Sequence, residues 1–273
     1  MGKLAVRARL YRRLSCCAAA LVALVSAASA AQTDVQLNLT REVLEVSGAR
    51  AGLQRLPALV GSMTEKDPRI AGLAPDQRKK VDEKLKASVD PDRMYRTMAG
   101  EALKRFREQP FREFLAVYRT ALAERFVELD LRALEPTVWE AKQAYLKTVT
   151  PAQMNQPRAV LLAELDEATG SSAAEAEVTL RGVSALLTKR GDETEEAFAA
   201  RRDQVRQKVY VNARAKFIVE HLFTYESVSD ADLERFVRLN QSEAVSYTSR
   251  VISVAALVAV LEGLDRLASA LSE

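Results

Sequence analysis

The sequence predicts an all-α fold, a multi-helix bundle of about nine or ten helices, on three observations. Composition is the first: 273 residues hold only 10 Gly, 8 Pro and 6% aromatics, and the surplus lies in helix-forming Ala, Leu, Val, Glu and Arg. Periodicity is the second, because apolar residues recur at i, i+3, i+4 and i+7 along most of the chain while strand alternation is nearly missing. The third is capping chemistry, with a polar residue and an acid three positions on recurring where apolar stripes begin. At 48% hydrophobic and 28% charged residues, neither disorder nor a polytopic membrane protein fits.

Taken in order, residues 1–30 read as a secretory signal peptide. Lys3, Arg7, Arg9, Arg12 and Arg13 make a positive start, Leu14 to Val25 is an apolar run, and Ala28-Ser29-Ala30 supplies the small-x-small cleavage pattern. The run falls short of the roughly 20 residues that cross a bilayer. Cleavage before Ala31 removes Cys16 and Cys17, so the mature chain has no cysteine and no disulfide. It also removes five cations, leaving 35 Lys+Arg against 37 Asp+Glu. The basic balance of the full chain therefore says nothing about nucleic acid, and Arg78-Lys79-Lys80 and Arg201-Arg202 read as solvated helix faces.

Residues 31–273 read as one all-helical domain, with 31–150 and 151–273 as candidate halves joined at Thr148 to Arg158, where Pro151 and Pro157 stand. Helices are expected near 34–47, 49–62, 76–88, 91–108, 111–134, 137–149, 158–169, 172–190, 193–224 and 229–271, the last bent or broken once. Phe111, Phe114, Leu115, Tyr118, Leu122, Phe126 and Leu129 form one stripe. Val211, Ala215, Ile218, Leu222 and Tyr225 form a second, and Leu233, Phe236, Val237, Asn240, Ala244 and Tyr247 a third. Ser172 with Glu175, Asp192 with Glu195 and Ser229 with Asp232 are expected N-caps with a following acid. Pro91 and Pro151 suit first helical positions, and Gly170 and Gly191 suit left-handed helix ends. Val251 to Leu261 is apolar apart from Ser253, which predicts a helix buried on all sides, with a partner-binding or lipid-facing surface as the alternative.

The stretch Tyr225, Val228-Ser229-Asp230-Ala231-Asp232-Leu233 and Phe236-Val237-Arg238-Leu239-Asn240-Gln241-Ser242 resembles domain-of-unknown-function family 2059, exported all-helical proteins of Gram-negative bacteria. Ser242 matches the signature serine, while Glu243 and Val245 stand where the family has proline and glycine. Glu42 to Gly48 is similar to the family's opening helix. The N-terminal half resembles a weaker copy, Phe114, Leu115, Val117 and Thr120 matching Phe236, Val237, Leu239 and Ser242 at one constant offset. The resemblance implies an all-α fold and a periplasmic address, and it brings no activity.

Catalysis finds little purchase. The mature chain has no cysteine, His221 is its single histidine, and no G-x-S-x-G, S-x-x-K, P-loop or G-x-G-x-x-G occurs. The expected catalytic, cofactor-binding and metal residues are none. His221 reads as a core-edge histidine, and Trp139 and Tyr145 as core aromatics. Glu226-Ser227 is a helix end that also resembles the Glu-Ser pair of lytic transglycosylases. The sequence therefore predicts a periplasmic, non-catalytic protein- or envelope-binding module. An acid-dependent cell-wall hydrolase using Glu226 or another buried carboxylate, or a carrier of a small apolar ligand or lipid, are the alternatives. Expected partners are a protein or envelope component, with no nucleic acid and no integral membrane span after cleavage.

Overall fold

In a computed structural model, which describes residues 33–272 apart from 67, 190 and 192, every regular element among the described residues is a helix. In chain order these are α1 (33–46), α2 (Ala49–Lys66), α3 (Pro68–Ala71), α4 (Pro75–Ser88), α5 (Pro91–Lys104), α6 (Glu108–Tyr118) and α7 (Ala121–Arg132). Then follow α8 (Pro136–Leu146), α9 (Pro151–Met154), α10 (Pro157–Thr169), α11 (Ser171–Leu186), α12 (Glu195–Thr224), α13 (Asp230–Asn240) and α14 (Glu243–Ser272). The expected leader, the cap Asp192 and the helix end at Arg190 lie outside the described residues.

Two of these elements, α3 and α9, are single turns. The other twelve exceed the expected nine or ten because two predicted helices are each divided. The helix expected over 111–134 breaks after Tyr118. There Thr120 turns its hydroxyl to the Val117 carbonyl and accepts the Ala123 N–H, starting a new helix. The stripe survives the break because α6 and α7 face the same core, burying Phe111, Phe114, Tyr118 and Phe126. The expected break in the last helix falls at Ser242, between α13 and α14.

Caps explain most boundaries. Asp90 accepts the N–H groups of Asp92 and Arg93, Ser229 accepts that of Asp232, and Thr194 accepts that of Ala197. Two expectations need correction. Ser172 is not an N-cap; its N–H and hydroxyl both bond the buried Asp166 carboxylate at 2.8 and 2.5 Å, so a residue of the preceding helix caps α11. Gly191 does not close the helix expected before it, since α11 already ends at Leu186; Gly48 and Gly170 take the left-handed conformation, at φ 75° and 69°.

Those two glycines are 122 residues apart, and most of the helix order recurs at that offset. Gly48 joins α1 to α2 as Gly170 joins α10 to α11, and α6 and α13 have matching bounds. Thr120 starts α7 as Ser242 starts α14, each hydroxyl donating to the carbonyl three residues back. Ser47 and Thr169 do the same at the ends of α1 and α10. Arg119 pairs with Glu42 where Gln241 bonds Glu164. The long helices differ for a reason visible in sequence. Pro91 and Pro136 begin α5 and α8, whereas Ala213 and Val258 at the matching positions let α12 and α14 run on for 30 residues each.

Contacts between the two copies are exchanged. Tyr247 donates to the Arg105 carbonyl, and the matching residues Arg125 and Ser227 make the reciprocal bond. The end of α14 packs on α4 and α5, as α8 packs on α12. Reciprocal contacts of this kind define an isologous, two-fold arrangement, here within one chain. Tyr118 and Asn240, equivalent residues 122 apart, bond each other at its centre. Around them an aromatic column runs from Phe217 through His221, Tyr225, Phe126 and Phe236 to Tyr118 and Phe114.

The glycines are not equally constrained. A Cβ on Gly48 would lie 2.8 Å from Val127 Cγ1, whereas one on Gly170 would lie 3.4 Å from Arg250 Cγ. Both pay the left-handed cost of about 1–2 kcal/mol on gaining a side chain. Gly48→Ala is therefore expected to lose more stability in urea melts than Gly170→Ala. Equal losses would mean that the α1–α2 junction has room to spare.

Candidate functional site

The apolar run in α14 is buried less than its composition predicts. Val251, Ala255 and Ala259 are buried, and Ile252, Ala256 and Val260 pack partly against the core. Val254 and Leu257 are only half-buried, correcting the expectation of burial on all sides. The helix is clasped by α5 and α6 on one side and α10 and α11 on the other, which leaves one sector open. It is long and apolar enough to cross a membrane by length and hydropathy alone, and 33% of its most apolar window is buried in the fold.

That open sector is the floor of a groove of about 690 Å³ between the end of α10, α11, α12 and α14. Drug-sized ligands are held in sites of roughly 300–1,000 Å³. Ala173 and Ala174 form one wall, Val211 the other, and Ser253, Val254 and Leu257 the floor. Val211, expected in a buried stripe, is 68% exposed here. From Arg250 to Leu257 the helix climbs about 10 Å, which sets the groove's length. Its charged groups lie towards its two ends. One end carries Asp166, Glu167, Arg214 and Arg250; the other carries Glu177, which accepts the Tyr210 hydroxyl. That bond, and burial after it, raise the Tyr210 phenol above its ordinary pKa.

The residues singled out by sequence lie elsewhere. Glu226 is exposed on a smaller cleft of about 360 Å³ with Leu129, Arg132, Phe223 and Ser227, and it is the single carboxylate in that lining. His221 sits one turn before the cleft, stacked on Phe217 at 3.9 Å. Its Nδ1 lies 2.7 Å from the Phe217 carbonyl, so in the donating tautomer Nε2 faces Asp130 at 3.9 Å. Tyr225 donates to the same Asp130 carboxylate at 2.8 Å. Burial, and then the Asp130 charge, push the Tyr225 phenol well above its ordinary range, so it stays a neutral donor. The apolar surroundings hold Asp130 above the usual carboxylate range, with His221 opposing. Because 47% of the Asp130 side chain still meets solvent, water screens that effect.

With Tyr225 only 2% exposed, this cluster has no hydroxyl that a substrate could reach. Its geometry is that of a structural tie between α7 and α12. Trp139 is half-buried, and Tyr145 packs tilted on Phe223 at 5.5 Å. Among the described residues no cluster of three or more His, Cys, Asp or Glu stands ready for a metal ion. No family model, curated protein or solved structure matches the chain.

Proposed function

We propose that the protein is an exported, non-catalytic binding protein of the bacterial periplasm that binds through the groove between α11, α12 and α14. The observation that carries this reading is the half-buried Val254 and Leu257 on the most apolar helix of the chain, lining a groove of about 690 Å³. Exposed apolar surface concentrated in a groove marks a place where something binds. The leader-like residues 1–30 and the resemblance to an exported helical family support the address.

The hydrolase reading is the weaker one. Glycoside cleavage works with two facing carboxylates, and the cleft at Glu226 is lined by one. The binding reading is tested with anilinonaphthalene sulfonate, a dye that fluoresces in apolar sites. Natively folded protein is expected to bind it at one site, and Leu257→Glu is expected to abolish the signal while helix content stays unchanged. Failure to bind the dye, or equal binding by Leu257→Glu, would overturn the assignment of the groove.

A further inference from the structure

The first repeat contains the same surface, and there it is filled. A Cβ on Gly52 would meet Leu134 Cδ1 at 3.5 Å, and Leu131 lies at the same distance from the Cβ position of Gly48. Arg55 then crosses the surface, bonding the Leu131 carbonyl and pairing with Glu135 at 3.5 Å. In the second repeat the equivalents of Leu131 and Leu134 are Ser253 and Ala256, and those of Arg55 and Glu135 are Glu177 and Leu257. Two leucine side chains and the ion pair that covers them are thus replaced by small residues and a pair that cannot form. What the first copy places there is aliphatic, and in the second the space is lined by Ala173, Ala174, Val211, Val254 and Leu257.

The opposite end of the groove has a different character. Arg250 gives one nitrogen to the Glu167 carbonyl at 2.9 Å, and the Arg214 guanidinium stands 3.9 Å from the Glu167 carboxylate, beyond hydrogen-bond reach. Asp166 is committed to Ser172. Arg214 and Arg250 both line this end of the groove, one at ion-pair distance from Glu167 and the other bonded through one nitrogen, and planar guanidinium matches carboxylate or phosphate oxygens in pairs.

We infer that the groove takes an anionic amphiphile, a single aliphatic chain ending in an oxyanion. The tail lies along Ala174, Ser253, Val254 and Leu257, and the head meets Arg214 and Arg250. This rests on the groove being the binding site, and it goes further by naming the chemistry of the ligand. The length of the groove argues for this occupant over a partner helix, because only about two helical turns would fit it.

The test is displacement of anilinonaphthalene sulfonate from the full chain by decanoate, decyl phosphate, decanol and a leucine-rich amphipathic peptide. Decanoate or decyl phosphate is expected to displace the dye at concentrations about tenfold below decanol, one charge-assisted bond's worth. Which of the two acts at lower concentration separates a carboxylate from a phosphate head. Arg214→Gln is expected to bring the anions down to the level of decanol. Ser253→Leu, which installs the residue found at the matching place in the first repeat, is expected to abolish displacement and dye binding together. Arg214 is exposed, so its variant keeps the test alive if Ser253→Leu misfolds. Equal action of decanol and the anions, no effect of Arg214→Gln, or displacement by the peptide alone would overturn the inference. In each of those results the dye still occupies the groove, so the binding reading survives; loss of dye binding by the unaltered protein sinks that reading instead.

Discussion

Phe126→Ala is expected to cost about 3–5 kcal/mol of folding stability. Phe126 comes from α7 in the first repeat and is fully buried. It stacks on Phe236 of α13 at 3.9 Å and 6°, and meets the edge of Tyr225 at 4.8 Å and 75°. Aromatic pairs in these geometries contribute about 0.5–1.5 kcal/mol beyond the area they bury. The matching residue in the second repeat is Thr248, so no symmetric partner can replace the lost ring. Because both neighbours belong to the second repeat, the cavity opens at the junction of the copies. Urea unfolding followed by far-UV circular dichroism and by Tyr fluorescence should shift together by the same amount. A loss under about 1 kcal/mol, or two separated transitions, would show that the copies do not share one cooperative core.

The same junction shows what the sequence could and could not convey. Periodicity located nearly every helix, because each needs one apolar stripe to bury and stripes are local. The division of the 111–134 stripe escaped notice because α6 and α7 turn the same face to the core, leaving the periodicity unbroken across Thr120. The offset between Phe114 and Phe236 was legible, but the repeat as a whole was not. Its strongest markers are a left-handed glycine at 48 and 170 and hydroxyls returned to carbonyls, which any capping residue could supply. The groove was hidden for a related reason. Val251 to Leu261 is apolar all round, and composition alone cannot say which sector of a helix its neighbours leave uncovered. One comparison within the sequence could have pointed to it: Leu131 and Leu134 against Ser253 and Ala256, once the offset was applied.

At the centre of the two-fold arrangement, Tyr118→Phe and Asn240→Leu are expected to be strongly non-additive. The Tyr118 hydroxyl donates to Asn240 Oδ1 at 2.9 Å in a fully buried setting, and Asn240 Nδ2 donates to the Phe236 carbonyl at 2.9 Å. Burial pushes the Tyr118 phenol far above its ordinary pKa, so it is a neutral donor near neutral pH. Removing the hydroxyl strands the Asn240 oxygen, at a cost of about 1–3 kcal/mol, and replacing Asn240 by leucine leaves the hydroxyl only the buried Ser249 hydroxyl beside it, at the lower end of that range. The double variant leaves neither. The Phe236 carbonyl keeps its place in α13, where its helical N–H partner remains, so losing Nδ2 adds little. The pair should therefore cost at least about 1 kcal/mol less than the two single losses together. Urea melts of the four proteins complete the cycle, and simple additivity would mean that the bond does not tie the repeats. If the coupling is found, the residue type at this position carries a further consequence. Tyrosine facing asparagine is a heterologous pair between equivalent positions, which two identical copies could not form in this way. The bond thus favours pairing of the first repeat with the second over pairing of either with itself, a role in which buried polar groups select one arrangement among several.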